Sequence, residues 1–340
     1  MTLLLALAAA ALCIWLGTPL PWMIGPMLAT AMASILRLRT ESWTPLRNAG
    51  QCTIGAAVGL YFTPQVTALV ASLWWAIALG IVWALVLGWL FGAWLHRLHA
   101  HRLPGLNRAT TWFAGAIGGA SEMTLLAERT HGRTELVAAA HSMRLLIVTI
   151  LIPFSMQFSG LHGLDLLVSG AREVNWGGLA VLGLATVAGA WVMERLGRAN
   201  PWFMGALLVA MGLTMASIEL SAMPRALSNA AQLAIGVSLG VRFTPAFVHT
   251  APRWLASVAG GSVVMIVLCA VFAWLLAWGA GLHPATLVLA TAPGGIAEMA
   301  ITAKVLQLGA PVVTAFQVCR LITVLVLVEP LYRWLYKTGR

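Results

Sequence analysis

The stretch "AIGGASEM", Ala116–Met123, returns as "APGGIAEM" at Ala292–Met299, 176 residues further along the chain. In both copies the second glycine stands three residues ahead of a glutamate, in sequence that is otherwise apolar. Glycine in a helix interior costs about 1 kcal/mol relative to alanine, so an adjacent pair is a natural break point. A central acidic side chain costs at least about 2.5 kcal/mol on membrane-insertion scales. Two unfavourable features side by side, present twice, point to a site.

The setting of the motif defines the class of protein. Of 340 residues, 60% are hydrophobic and only 9% charged, with a mean hydropathy of +0.90. Soluble domains carry about 25% charged residues. Apolar runs of about twenty residues recur almost to the end of the chain, enough to cross a hydrocarbon core of roughly 30 Å. The chain reads as a polytopic helical membrane protein with the lipid bilayer as its first partner. Its 16 tryptophans fit, because Trp gathers at membrane interfaces. The N-terminal "MTLLLALAAAALCIWLG" lacks a basic n-region and a small-x-small cleavage site, so it reads as a first transmembrane helix.

A net charge of +10 does not make this a nucleic-acid binder. The basic residues sit in short loops between apolar spans, and no basic amphipathic helix, zinc-finger spacing or RNP-like motif accompanies them. Direct nucleic-acid binding is excluded on that ground. Cys13, Cys52, Cys269 and Cys319 are isolated in apolar sequence without a CxxC pair, and read as small core residues. No cofactor is implied.

Three further pairs flank the opening one. "PWMIGPMLATAM" (Pro21–Met32) matches "PWFMGALLVAMG" (Pro201–Gly212), and "NAGQCTIGAAVGLYFTP" (Asn48–Pro64) matches "NAAQLAIGVSLGVRFTP" (Asn229–Pro245). "RLLIV" (Arg144–Val148) matches "RLITV" (Arg320–Val324). The chain is therefore two membrane repeats, residues 1–165 and 166–340, each with six hydrophobic segments. If the Gly-Gly segment does not cross outright, each repeat crosses five times and the second is inverted. Charge favours this reading. Apart from Arg144 and Arg320, inside spans, 18 Lys and Arg remain, and the inverted arrangement puts all but Arg172, Arg225 and Lys304 on the cytoplasmic side. The basic loop "HRLHAHRLPGLNR" (His96–Arg108) also has a charge-free counterpart, "GAGLHPA" (Gly279–Ala285). The expected fold is an all-α integral membrane protein. It has two inverted repeats of about five transmembrane helices each, plus a Gly-Gly-broken or re-entrant segment per repeat, with both termini cytoplasmic.

Interrupted segments at matching positions of inverted repeats are the best sequence pointer to a secondary transporter's binding site. The half-helix after Gly118-Gly119 opens with Ser121 and Glu122, and its mate after Gly294-Gly295 carries Glu298. Their positive dipole ends suit an anionic group. Glu122 and Glu298 are candidates to bind Na⁺ or exchange a proton. Arg144 and Arg320, on the following helix of each repeat, are the obvious counter-charges or, alternatively, clamps for a substrate carboxylate. A permanent Glu–Arg pair that merely pins helices is the bland alternative. Asn48, Gln51, Asn229 and Gln232 form a secondary set read as helix-end caps or interhelical hydrogen bonders. His141 has Gln317 as its counterpart, and that exchange favours hydrogen bonding over metal ligation. His96, His99 and His101 lie among arginines in a single repeat and read as part of a solvated basic loop, so no metal site is expected.

The duplicated "PWMIGPMLATAM", "GASEMTLLAE", "PGGIAEMAITAK" and "FQVCRLITV" blocks resemble the AbrB family of bacterial membrane proteins over essentially the whole chain. The resemblance implies a multi-pass protein of the bacterial inner membrane, built from two copies of one module. It also brings two family labels, regulator of gene expression and ammonia monooxygenase. The second conflicts with the residues, since copper or iron oxygenases need clustered His and carboxylate ligands. The chain is read as a non-enzyme. The family is distantly similar to the cation–proton antiporters and anion transporters, whose ion-site motifs are not literally present here, so their substrates are not carried over. The expected function is H⁺- or Na⁺-coupled secondary transport of a small solute, anionic solutes included, with one bundle moving against another. A membrane-bound regulator is the alternative, and homo-oligomerisation is left open.

Overall fold

The computed structural model describes residues 1–159, 173–245 and 251–337. The repeat boundary at 165/166, Arg172 and Arg340 lie outside the described residues. Fifteen helices and no strand occur among the described residues. They are α1 (Thr2–Trp15), α2 (Pro21–Ile35), α3 (Thr44–Gly59), α4 (Pro64–Ser72), α5 (Trp74–His99), α6 (Arg108–Gly115), α7 (Ala120–Arg129), α8 (Thr134–Phe158), α9 (Trp176–Arg195), α10 (Pro201–Met215), α11 (Arg225–Gly240), α12 (Pro252–Ala280), α13 (Pro284–Thr291), α14 (Ile296–Val305) and α15 (Ala310–Lys337).

Five helices, α5, α8, α9, α12 and α15, are long and apolar enough to cross a membrane. The apolar run after Pro64 is not one helix. It breaks at Leu73 between α4 and α5, and α3 and α4 form a bent pair at 89°. Thr63 helps set that bend, its hydroxyl accepting from the Val66 amide (3.3 Å), with Pro64 opening α4.

Left-handed backbone recurs at the offsets of the sequence repeats. Gly17, Leu20 and Arg37 pair with Gly197, Asn200 and Ser217, while Gly105 and His131 pair with Gly281 and Gln307. Leu20 and Asn200 share φ 48° and ψ 51°, and each precedes a proline at the first helical position. A leucine in this region is uncommon. That it takes the conformation of its asparagine counterpart shows the turn is set by the helices it joins.

The helices gather into two compact units, each drawing on both halves of the chain. Unit 1 comprises Met1–Ser72, Pro153–Ala246 and Ala297–Thr314; unit 2 comprises Leu73–Ile152, Phe247–Ile296 and Ala315–Arg340. Within unit 1, α3 lies on α10 and α11 lies on α2, so each half's third helix packs on the other half's second. Glycines allow the approach. A Cβ at Gly55 would run into the Phe203 carbonyl, and one at Gly236 into the Met23 carbonyl, its counterpart. Small residues at helix contacts, which let backbones close up, are how membrane helices associate without a hydrophobic driving force between them.

Unit 2 packs α5 against α6 and α12, α12 against α13, and α6 against α7. Its core includes Leu87, Phe91, Phe113, Met123, Leu136, Trp254, Met265 and Val328. Two buried indoles tie segments far apart in sequence, Trp112 donating to the Val328 carbonyl (3.1 Å) and Trp254 to the Leu136 carbonyl (3.2 Å). His99 is a correction to the solvated-loop reading. It lies in the last turn of α5, is 2% exposed, bonds Ser257 Oγ at 2.9 Å and meets the Trp254 ring edge-on. An imidazole presents enough apolar ring to be buried once its nitrogen has a partner, which sequence spacing does not reveal.

Candidate functional site

Both Gly-Gly segments are broken helices. α6 and α7 flank residues 116–119, and α13 and α14 flank residues 292–295. Each first half-helix has a side-chain N-cap at a matching position. Asn107 Oδ1 accepts from the Thr110 amide (2.9 Å), and His283 Nδ1 accepts from the Ala285 amide (3.3 Å). Each ends when its C-cap alanine turns extended, Ala116 at ψ 137° and Ala292 at ψ 143°. That leaves the terminal carbonyls of an eight-residue helix without intrahelical donors, in a buried setting.

The helix that follows each break supplies the donors. Arg144 donates to the Ala116 carbonyl at 3.0 Å and, at 3.4 Å, to the Ala114 and Gly115 carbonyls. His141, one turn earlier, bonds the Phe113 carbonyl through Nε2 and receives Arg144 through Nδ1, both at 2.9 Å. In the second copy Arg320 donates to the Ala292 (2.6 Å) and Gly294 (3.0 Å) carbonyls. Gln317 donates to the Leu289, Ala290 and Ala292 carbonyls at 2.8–3.3 Å and accepts from Arg320 at 2.5 Å. All four side chains are at most 5% exposed.

This changes the role expected of the arginines. Both arginines direct their terminal nitrogens at the negative ends of the broken half-helices, where the acceptors are backbone carbonyls. The clue in the sequence is a polar residue three ahead of each arginine, in "HSMR" and "QVCR", where i and i+3 share a helix face.

The glutamates part company. Glu122, at the third position of α7, is half-buried and folds back over its N-cap, for a Cβ at Gly119 would collide with its carboxyl oxygen. The Gly-x-x-Glu spacing therefore follows from local geometry. The carboxyl sits over the helix's positive end, which a side chain at position 119 would block. Ser121 is exposed, and Gly118, Gly119, Gly294 and Gly295 are half-buried. Glu298 belongs to unit 1, is 8% exposed, and has Arg242 of the same unit within Coulombic range. Lys304, on the same helix, reaches Ser228 Oγ at 3.3 Å. Sequence reasoning passed over Arg242 and Lys304. Their signal was departure from the repeat, since the matching positions hold Tyr61 and Glu128.

The secondary amides lie on α3 and α11, which pack together in unit 1 with Gly50 close to the Ala231 carbonyl. Asn48 accepts from Arg47 at 3.2 Å, Gln232 is buried in α11, and Gln51 and Asn229 are half-buried. Among the described residues no group of three His, Cys, Asp or Glu side chains is placed to hold a metal ion.

Among the described residues, an all-helical fold with five helices able to cross a membrane and two arginine-capped helix breaks defines a polytopic membrane protein. Residues 22–336 match the profile of the family described as AbrB, "Transition state regulatory protein AbrB", and the chain belongs to that family. Among its relatives are "Uncharacterized protein YhjN" of Bacillus subtilis (strain 168), 26% identical across 94% of this chain and 88% of the relative, and "Putative regulator AbrB" of Escherichia coli (strain K12), 26% identical across 90% and 87%.

Proposed function

We propose that the protein is an inner-membrane secondary transporter that moves a small solute in exchange with, or together with, H⁺ or Na⁺. The observation that carries this reading is the paired helix break. An interrupted helix at membrane depth leaves polar backbone groups that must be satisfied by protein or by a water-lined path, and transporters place their sites at such breaks. Here both breaks have buried cations at the ends of their first half-helices and carboxylates in the first turns of their second. Glu122 and Glu298 are the groups assigned to the coupling ion. Purified protein in proteoliposomes should show solute flux driven by a pH or Na⁺ gradient. Coupled flux that survives the Glu122→Gln/Glu298→Gln double variant would end this assignment.

The two repeats are proposed to be inverted, with both termini cytoplasmic. His101→Cys and Leu282→Cys, in equivalent loops of the two repeats, should then react with impermeant thiol reagents from opposite sides of the membrane. Labelling from one side at both positions refutes the inversion.

A second reading, a membrane-bound regulator of gene expression, is favoured by the family description and by the name of the Escherichia coli relative. It predicts that deletion changes transcripts while leaving every solute flux unaltered. The transport reading predicts that transcript changes follow the lost flux and disappear when the solute is supplied.

A further inference from the structure

Unit 2 contains an imbalance of buried charge. Arg144 and Arg320 are 2% and 5% exposed and lie within Coulombic range of each other. The carboxylates of the unit are committed elsewhere. Glu135 pairs with Arg133 at 2.6 Å, Glu329 with Arg333 at 2.5 Å, Glu128 is exposed, and Glu122 is folded over Gly119. Two guanidiniums bring two positive charges. The carboxyl ends of α6 and α13 offset roughly half a charge each, by the usual measure of a helix dipole. About one positive charge is left over, in an interior where an unbalanced charge is strongly unfavourable.

Hydrogen bonding points the same way. The terminal nitrogens of both arginines serve the helix-end carbonyls, yet Nε of Arg144 and Nε of Arg320 are both buried with no partner. The defect occurs in both repeats and on the same atom. A third buried donor, Trp83 Nε1, lies beside Cys269, which is itself within Coulombic range of Arg320, and finds no acceptor of proper geometry. These are N–H groups with no acceptor capacity, and native interiors leave few such groups unsatisfied. A metal ion would not answer them; an acceptor carrying one negative charge would.

We propose that Arg144 and Arg320 together hold one small monovalent anion, a carboxylate or a halide, that accepts from their two Nε–H groups. This deepens the transport reading, on which it rests for the anion's role as cargo or as resident counter-ion, while the binding site itself follows from the charge and donor count alone.

The test is a titration of the purified full-length protein in sulfate buffer with chloride, formate and acetate, followed by thermal unfolding. At least one of these should raise the unfolding temperature saturably, with a one-to-one isotherm. Arg144→Gln and Arg320→Gln should each weaken its apparent Kd at least tenfold, whereas Arg133→Gln, at an exposed ion pair, should not. Absence of a saturable effect in the wild type, or an unchanged Kd in both variants, overturns the proposal. Should the variants not fold, the wild type still decides the matter. Bromide-soaked crystals should show anomalous density within hydrogen-bond distance of both Nε atoms, and its absence overturns the site. Flux in proteoliposomes then separates the sources. A stabilising anion that is also carried is the solute, and one that binds without being carried is a resident ion, in which case the site stands and the transport reading must be judged separately.

Discussion

The two helix breaks share a plan and differ in their second halves. In both, a half-helix of eight residues ends on an extended alanine and its carbonyls are capped by a polar residue and an arginine spaced i, i+3 on the next long helix. Past the break the copies diverge. Glu122 stays in unit 2, half-buried over its own helix end, whereas Glu298 lies in unit 1, buried, with Arg242 in Coulombic range and Lys304 two turns along. The invariant part is the backbone device that makes a break tolerable in a membrane. The divergent part is the environment of the carboxylate, which decides what that carboxylate can bind. The matching positions 61/242 and 128/304 hold Tyr61 and Arg242, Glu128 and Lys304, so the charge around the two carboxylates differs.

The sharpest way to break this comparison is at Gly119. A methyl group there meets Glu122 Oε2 at a distance no real Cβ tolerates, so Gly119→Ala must displace the carboxylate from the α7 terminus. The expected loss is about 1 kcal/mol, the low end for overpacking because the group that must move is the free end of a flexible, half-buried side chain, read as a lower unfolding temperature in detergent. Gly119→Ala/Glu122→Ala should recover most of it, because the clash is with the side chain that the second change removes. Equal losses in the single and double variants would show that Gly119 is required for backbone conformation alone.

A comparable effect tests the inequality of the glutamates. Glu298→Gln and Arg242→Gln should be non-additive in a double-mutant cycle, coupling by about 1 kcal/mol, as residues that share an electrostatic environment do. Glu122→Gln should change stability by less than about 0.5 kcal/mol, the usual range for partly exposed positions. A vanishing coupling between Glu298 and Arg242 would remove the electrostatic distinction between the two copies.

Much of this was legible in the sequence, and the part that was not has a physical cause. The fold class followed from apolar runs, and the breaks from Gly-Gly pairs, because hydrophobic length and helix propensity are local properties. The arginines were singled out as buried cations and read against carboxylates, while the partners of their terminal nitrogens are backbone carbonyls. A charge-matching argument sees only ionised groups, whereas the acceptors here are backbone carbonyls exposed by the break itself, invisible in a one-letter string. Arg242 was missed for a related reason. It follows α11, some 56 residues before Glu298, and only the packing of unit 1 brings the two into range. His99 misled because three histidines among arginines resemble a solvated loop, while α5 in fact continues to His99 and buries it in its last turn.

The finest test of the shared plan is an exchange between the copies. At position 141 the imidazole faces a carbonyl with Nε2 and a guanidinium with Nδ1, so the tautomer that fits carries its proton on Nε2. It therefore offers one donor toward the half-helix and one acceptor toward the arginine. Gln317 offers the same pair, its amide N–H groups toward the Leu289, Ala290 and Ala292 carbonyls and its oxygen toward Arg320. His141→Gln should thus be nearly neutral, within about 0.5 kcal/mol, because donor and acceptor are both preserved. His141→Leu is close in size but leaves the Phe113 carbonyl and one Arg144 N–H unpaired in a buried site, which should cost about 1–3 kcal/mol. Unfolding temperatures of the two variants, measured side by side, separate hydrogen-bond pattern from shape. If glutamine and leucine were equally harmful at position 141, the equivalence of the two caps would be one of sequence position and not of chemistry.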